Sequence, residues 1–222
     1  MADYPAVPYI APFAVFIAAL GVKSAFPVDA RWEYVIRVFA VSGVLLLLTS
    51  RDVALKRPAR PLSSFIVGVL VFAIWILPDL LWTSYRHHWL FENSLTGTAA
   101  STAPAALKSD ALFLIFRFFG SVIIVPIIEE LFWRGWLLRF MIDADFRKVP
   151  LGTFSTVSFF FTAALFASEH GSFWDVGLIA GLIYNWWVVR TRNLTDCMIA
   201  HGVTNFCLGL FVVFRDQWQY WL

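Results

Sequence analysis

Seven apolar stretches separated by polar breaks set the pattern of this 222-residue chain. They run over about 5–22, 33–50, 62–82, 110–141, 151–169, 173–190 and 194–215. A helix needs roughly 20 apolar residues to cross a hydrocarbon core of about 30 Å, and these stretches approach or exceed that length. Within lipid, a lone segment satisfies its own backbone only as a helix. The pattern therefore predicts an all-α fold, a polytopic integral membrane bundle of seven or eight transmembrane helices. Proline and charge mark the breaks: Arg51 to Pro61 holds four basic residues and two prolines, and Asp143 to Pro150 mixes acids, bases and a proline. The stretch 83–109, rich in Ser, Thr, Gly and Pro, is expected to be an exposed loop. No internal repeat divides the chain, so 1–222 reads as a single integral membrane domain.

Composition agrees with the pattern. The chain is 60% hydrophobic and 14% charged, whereas soluble domains are nearer a quarter charged. The lipid bilayer is thus the first partner. A net charge of +2 offers no basic patch for nucleic acid, and no feature assigns an oligomeric state. Cys197 and Cys207 lie ten residues apart, about 15 Å along a helix, too far to be joined. They read as small hydrophobes. The first residues lack the charged region and cleavage site of a signal peptide, so 5–22 is expected to remain as a first span.

The charges inform topology instead. Arg51, Lys56, Arg57, Arg60, Arg139, Arg147, Lys148, Arg190 and Arg192 fall in the even loops, against Lys23, Arg31, Arg86, Lys108 and Arg215 opposite. Basic residues favour the cytoplasmic side, so the N-terminus is expected to be cytoplasmic. Trp and Tyr near the span ends suit the headgroup level.

Against this background the intramembrane polar groups stand out, because a charge at the bilayer centre costs at least about 2.5–3.5 kcal/mol. Glu129 and Glu130 lie inside the long fourth stretch. Glu130 and Arg134 are four apart and can pair on one face, leaving Glu129 pointing about 100° away. The structural alternative is a helix-end ion pair. His170 closes the segment Phe166–Ala167–Ser168–Glu169–His170, where a lone histidine can equally be interfacial. His201 and Asn205 share a face of the last stretch, where interhelical hydrogen bonding is the alternative. Arg37 is expected to snorkel, Arg117 to pair within the bundle, Asp79 to mark a span end, and His87 and His88 to lie at the surface. Taken together, a carboxylate, two imidazoles and a carboxamide on separate spans are the parts of a hydrolytic site: a base, a partner for it, and two oxyanion donors.

Three short patterns carry a resemblance. Glu129-Glu130…Arg134, Phe166…His170 and His201…Asn205 stand in the order of the motifs EExxxR, FxxxH and HxxxN/D, and the chain resembles the CAAX protease and bacteriocin-processing (CPBP or Abi) family of intramembrane proteases. Within it, the chain resembles the short CAAX-protease-related members associated with bacterial exosortase systems, which implies a bacterial inner (plasma) membrane. The resemblance covers 129–205 and implies an endopeptidase acting on a membrane-associated peptide or protein, in a cavity open to the cytosolic side or the bilayer. It puts the catalytic glutamate at Glu129, its partner at His170, the oxyanion pair at His201 and Asn205, and support at Glu130, Arg134 and Phe166. A metal-free mechanism is expected, with zinc on Glu129, His170 and His201 as the alternative. Two other classes stay open: a non-enzymatic scaffold or immunity protein, and a proton-coupled transporter.

Overall fold

A computed structural model describes residues 4–22, 28–53, 55–101 and 103–221. Lys23, counted above for topology, lies outside them. Among these residues the chain is helical, with seven principal helices: α1 (Val7–Val22), α2 (Ala30–Asp52), α3 (Pro61–Leu81), α4 (Ala111–Phe140), α5 (Thr156–Ser168), α6 (Trp174–Thr191) and α7 (Leu194–Arg215). Of these α2, α3, α4 and α7 are long and apolar enough to cross a membrane, while α1 and α5 are shorter apolar helices. The fifth stretch begins later than expected. Positive φ at Gly152 and extended backbone up to Ser155 delay the helix to Thr156, leaving 13 residues, about 20 Å.

Helix starts follow their caps. Asp29 accepts from the Arg31 amide, Asp110 from Phe113, and Asn193 from Thr195, each satisfying an orphan donor of a first turn. Asp196, fully buried, does this across helices: its carboxylate accepts from the Ala59 and Arg60 amides at 3.1 and 2.9 Å, just ahead of α3. Asn193 and Thr195 donate to the carbonyls of Arg57 and Lys56, and Tyr9 of α1 stacks edge-on to Phe146. One end of the bundle thus gathers the start of α1 and the basic breaks after α2, α4 and α6.

The opposite end gathers the rest, and here the expectation of an exposed loop over 83–109 is corrected in part. Arg86 is buried and bonds Asp79 on α3, Asp175 on α6 and the Ser172 carbonyl. Phe91 is buried with it, and Tyr220 donates to Asp79 at 2.8 Å. A buried guanidinium needs such partners, so this segment is folded down onto the bundle around Arg86. His87 is exposed, as read, beside Glu92.

The core runs from Phe13 of α1 through Val71, Ile128, Phe166, Val188 and Val212 to Trp221. Gly68 brings α3 onto α7: an added Cβ would stand 2.4 Å from the Ala200 carbonyl. Small residues at such crossings are how helices pack without a hydrophobic drive between them. Outward, Leu46, Leu47, Leu62, Ile115, Val157 and Phe214 are exposed. An apolar surface of that kind suits hydrocarbon and would aggregate in water. Cys197 is buried and Cys207 partly so, both unpaired with each other.

Candidate active site

Helix α4 carries the two glutamates and departs from regular winding on both sides of them. Gly120–Ile124 and Leu131–Leu137 are π-helical, and the α-helical turn Val125–Glu130 lies between. Proline explains a consequence of the first widening. The Val125 amide reaches back five residues to the Gly120 carbonyl; in that pattern the next donor, to Ser121, would be residue 126. Pro126 has no N–H. The Ser121 carbonyl is left without a helical partner, and the Asn205 side chain fills it, Nδ2 donating at 2.8 Å. Asn205 is therefore held to α4 with one amide hydrogen engaged and one left over.

Glu130 and Arg134 are fully buried and bonded at 3.0 Å, the pair their spacing predicts. The guanidinium also donates to Asn185 Oδ1 at 2.9 Å and to the Gly181 carbonyl at 3.2 Å, and lies 4.6 Å from the Phe166 ring centre. Asn185 in turn donates to the Phe159 carbonyl. One arginine thereby ties α4 to α6, and through Asn185 to α5. Phe166 is the aromatic floor beneath this pair and packs against both histidines, at 4.7 Å from His170 and 6.1 Å from His201.

The histidines are each fixed through Nδ1. His170 Nδ1 is 2.8 Å from the Phe166 carbonyl, which can only accept, so Nδ1 carries the hydrogen. The ring sits against Gly177, where a Cβ would come within 3.1 Å of it. His201 Nδ1 is 2.9 Å from Glu130 Oε1. Glu130 is salt-bridged, hence an acceptor, and the same tautomer follows. The partner of His201 is thus Glu130 rather than Glu129. In either ring a neutral imidazole presents Nε2 as an acceptor; Nε2 donates only from a doubly protonated ring. Tyr184 stacks on His201 at 5.0 Å and donates to Thr204 at 2.8 Å, fixing the ring plane.

Glu129, His170, His201 and Asn205 all line one cavity of about 320 Å³, within the usual size of small-molecule sites. Oε2 of each glutamate lacks a hydrogen-bond partner, but Glu130 is fully buried with Oε1 taken by Arg134 and His201, whereas Glu129 is 8% exposed and faces the cavity, so it is the carboxylate left available. Glu130, Arg134 and Phe166 back the site. Glu169, Tyr184 and Thr204 also line the cavity and were missed by sequence reasoning. Glu169 could have been found, since it directly precedes His170; Tyr184 lies in a span without any motif. Arg37 is corrected as well. It is 7% exposed and lines the cavity instead of snorkelling to the headgroups. Arg117 stacks on Tyr34 and Trp221.

From Glu129 and His201 the cavity extends past Arg117, Leu20, Tyr220 and Trp221, toward the end opposite the basic breaks. At the other end Asp196, Asn193 and Thr195 tie the start of α7 to the segment ahead of α3. As for zinc, no group of three His, Cys, Asp or Glu side chains able to hold a metal occurs among the described residues.

The chain has no significant match to a curated protein or to a solved structure. Residues 111–207, just under half of the chain and the part holding all three motifs, match the family model described as type II CAAX prenyl endopeptidase Rce1-like, which marks an integral membrane protein, points to a protease, and is consistent with the CPBP family of intramembrane enzymes.

Proposed function

We propose that this protein is an intramembrane endopeptidase in which Glu129 activates the attacking water. The observation that carries the reading is the contrast between adjacent glutamates: Glu130 is fully buried and engaged through Oε1 by Arg134 and His201, whereas Glu129 lines the cavity. Glu129 takes a proton from water, with His170 Nε2 accepting the water's second hydrogen bond and orienting it. The hydroxide attacks the peptide carbonyl carbon. The second amide hydrogen of Asn205 supports the oxyanion, and so does His201 when Nε2 is protonated, an imidazolium that Glu130 would steady. Glu129 then delivers its proton to the departing nitrogen as the C–N bond breaks.

The protein sits in this reading in a bacterial inner membrane with its N-terminus cytoplasmic and its basic breaks inside. The cavity then extends toward the extracytoplasmic face, and the substrate is a membrane-associated peptide or protein segment reaching that side.

The test is reconstitution in liposomes with the membrane proteins encoded beside it, followed by mass spectrometry of new termini. Wild type should yield a product, Asn205→Ala about 10²–10³ less, and Glu129→Gln the least, since Gln accepts no proton. The same liposomes, treated with chelator and then zinc, separate the zinc alternative: activity lost and restored in step with bound zinc would displace the metal-free mechanism. Product at wild-type level from Glu129→Gln would end the reading, and a scaffold or transporter would give no product from any form.

A further inference from the structure

Two cations on the cavity wall have no part in that chemistry. Arg37 of α2 and Arg117 of α4 each lie within 5.0 Å of the Tyr34 ring centre, one at 4.6 and the other at 5.0 Å. Both line the same cavity as Glu129. Placing arginine in a spanning segment is costly, and such residues face a functional interior by default. Arg37 is 7% exposed, and its nearest carboxylate, Glu33, stands at 3.5 Å, too loose for a good hydrogen bond. Tyr34 holds the arrangement together: both guanidinium groups pack against its ring and its hydroxyl donates to the Arg117 carbonyl at 3.4 Å. Guanidinium presents a planar fork of donors matched to a carboxylate.

We infer that Arg37 and Arg117 bind a carboxylate of the substrate, and so select chains that carry one near the scissile bond. This rests on the proposed hydrolase reading for its purpose, though not for its binding chemistry. Arg117 and Glu129 are twelve positions apart on α4, about 18 Å along the axis, the length of roughly five extended residues. The bound carboxylate therefore stands within about five residues of the bond to be cut. It can belong to a chain terminus or to an Asp or Glu side chain.

Binding can be read without turnover, in the Glu129→Gln protein in nanodiscs, by fluorescence anisotropy. The probes are three dye-labelled pools of apolar hexapeptides: free C-terminal acid, C-terminal amide, and C-terminal amide with Asp or Glu as the last residue. A charge-assisted contact of the usual strength corresponds to about 10-fold or more in affinity. The free acid should bind about 10-fold tighter than the amide if the terminus is read, and the acidic amide pool should recover the gain if a side chain serves. Arg37→Gln and Arg117→Gln should erase the difference, leaving amide binding unchanged; Arg37→Lys should keep part of it. Equal affinity of all three pools for the unmodified wall would overturn the inference, and that comparison needs no arginine variant to fold. Cleavage by the wild type is scored separately, so loss of the catalytic reading and loss of the carboxylate site are distinct results.

Discussion

Removing Arg134 should unfold this protein more readily than removing the cavity-facing carboxylate of Glu129. Arg134 and Glu130 are both 0% exposed, and the guanidinium makes three hydrogen bonds, of 3.0, 2.9 and 3.2 Å, to Glu130, Asn185 and the Gly181 carbonyl. Arg134→Ala leaves the Glu130 carboxylate in a dry interior with His201 as its remaining partner. Breaking a buried pair from one side costs about 3–5 kcal/mol. At about 2–4 °C per kcal/mol for a chain of this size, the midpoint should fall by about 6–20 °C. Arg134→Lys keeps the charge and loses the fork, so Asn185 Oδ1 or the Gly181 carbonyl goes unmatched at about 1–3 kcal/mol each; it should fall between. Glu129→Gln removes a carboxylate whose Oε2 is unbonded and should melt at or above the wild-type midpoint. The assay is thermal unfolding of all four proteins in one detergent. If Arg134→Ala stays within about 2 °C of wild type, or Glu129→Gln falls as far, the division of labour between the two glutamates is refuted.

Two further outcomes test other parts of the structure. Asn205→Ala should cost about 1 kcal/mol through the orphaned Ser121 carbonyl, and Pro126→Ala, which restores an N–H to α4, should shrink that cost in the double mutant; additive losses would show that proline and asparagine are not coupled. Ser94→Cys, in the exposed part of the segment after α3, should react with a membrane-impermeant maleimide in intact cells if the cavity end is extracytoplasmic, and labelling only after lysis would reverse the orientation.

Much of the helical order was legible because membrane helices are selected by length and apolarity alone. Hydrocarbon forces each long apolar run to satisfy its own backbone, so α2, α3, α4 and α7 could be read without knowing their neighbours. The Glu130–Arg134 pair was legible for the same local reason: four residues make one turn. What the chain could not disclose were the relations between helices. That Arg37 turns inward, that Arg86 pulls the segment after α3 onto the bundle, and that Tyr184 stacks on His201 depend on which faces meet across tens of residues. The division between the histidines is of this kind. His201 and Glu130 are seventy-one positions apart, and only the packing of α7 against α4 brings Nδ1 within 2.9 Å of that carboxylate. Asn205 shows both levels at once. Pro126 by itself dictates that a carbonyl on α4 will lack its donor, whereas the side chain that supplies one comes from another helix, α7, whose close approach to α4 rests on Gly202, where an added Cβ would stand 2.9 Å from the Val122 carbonyl.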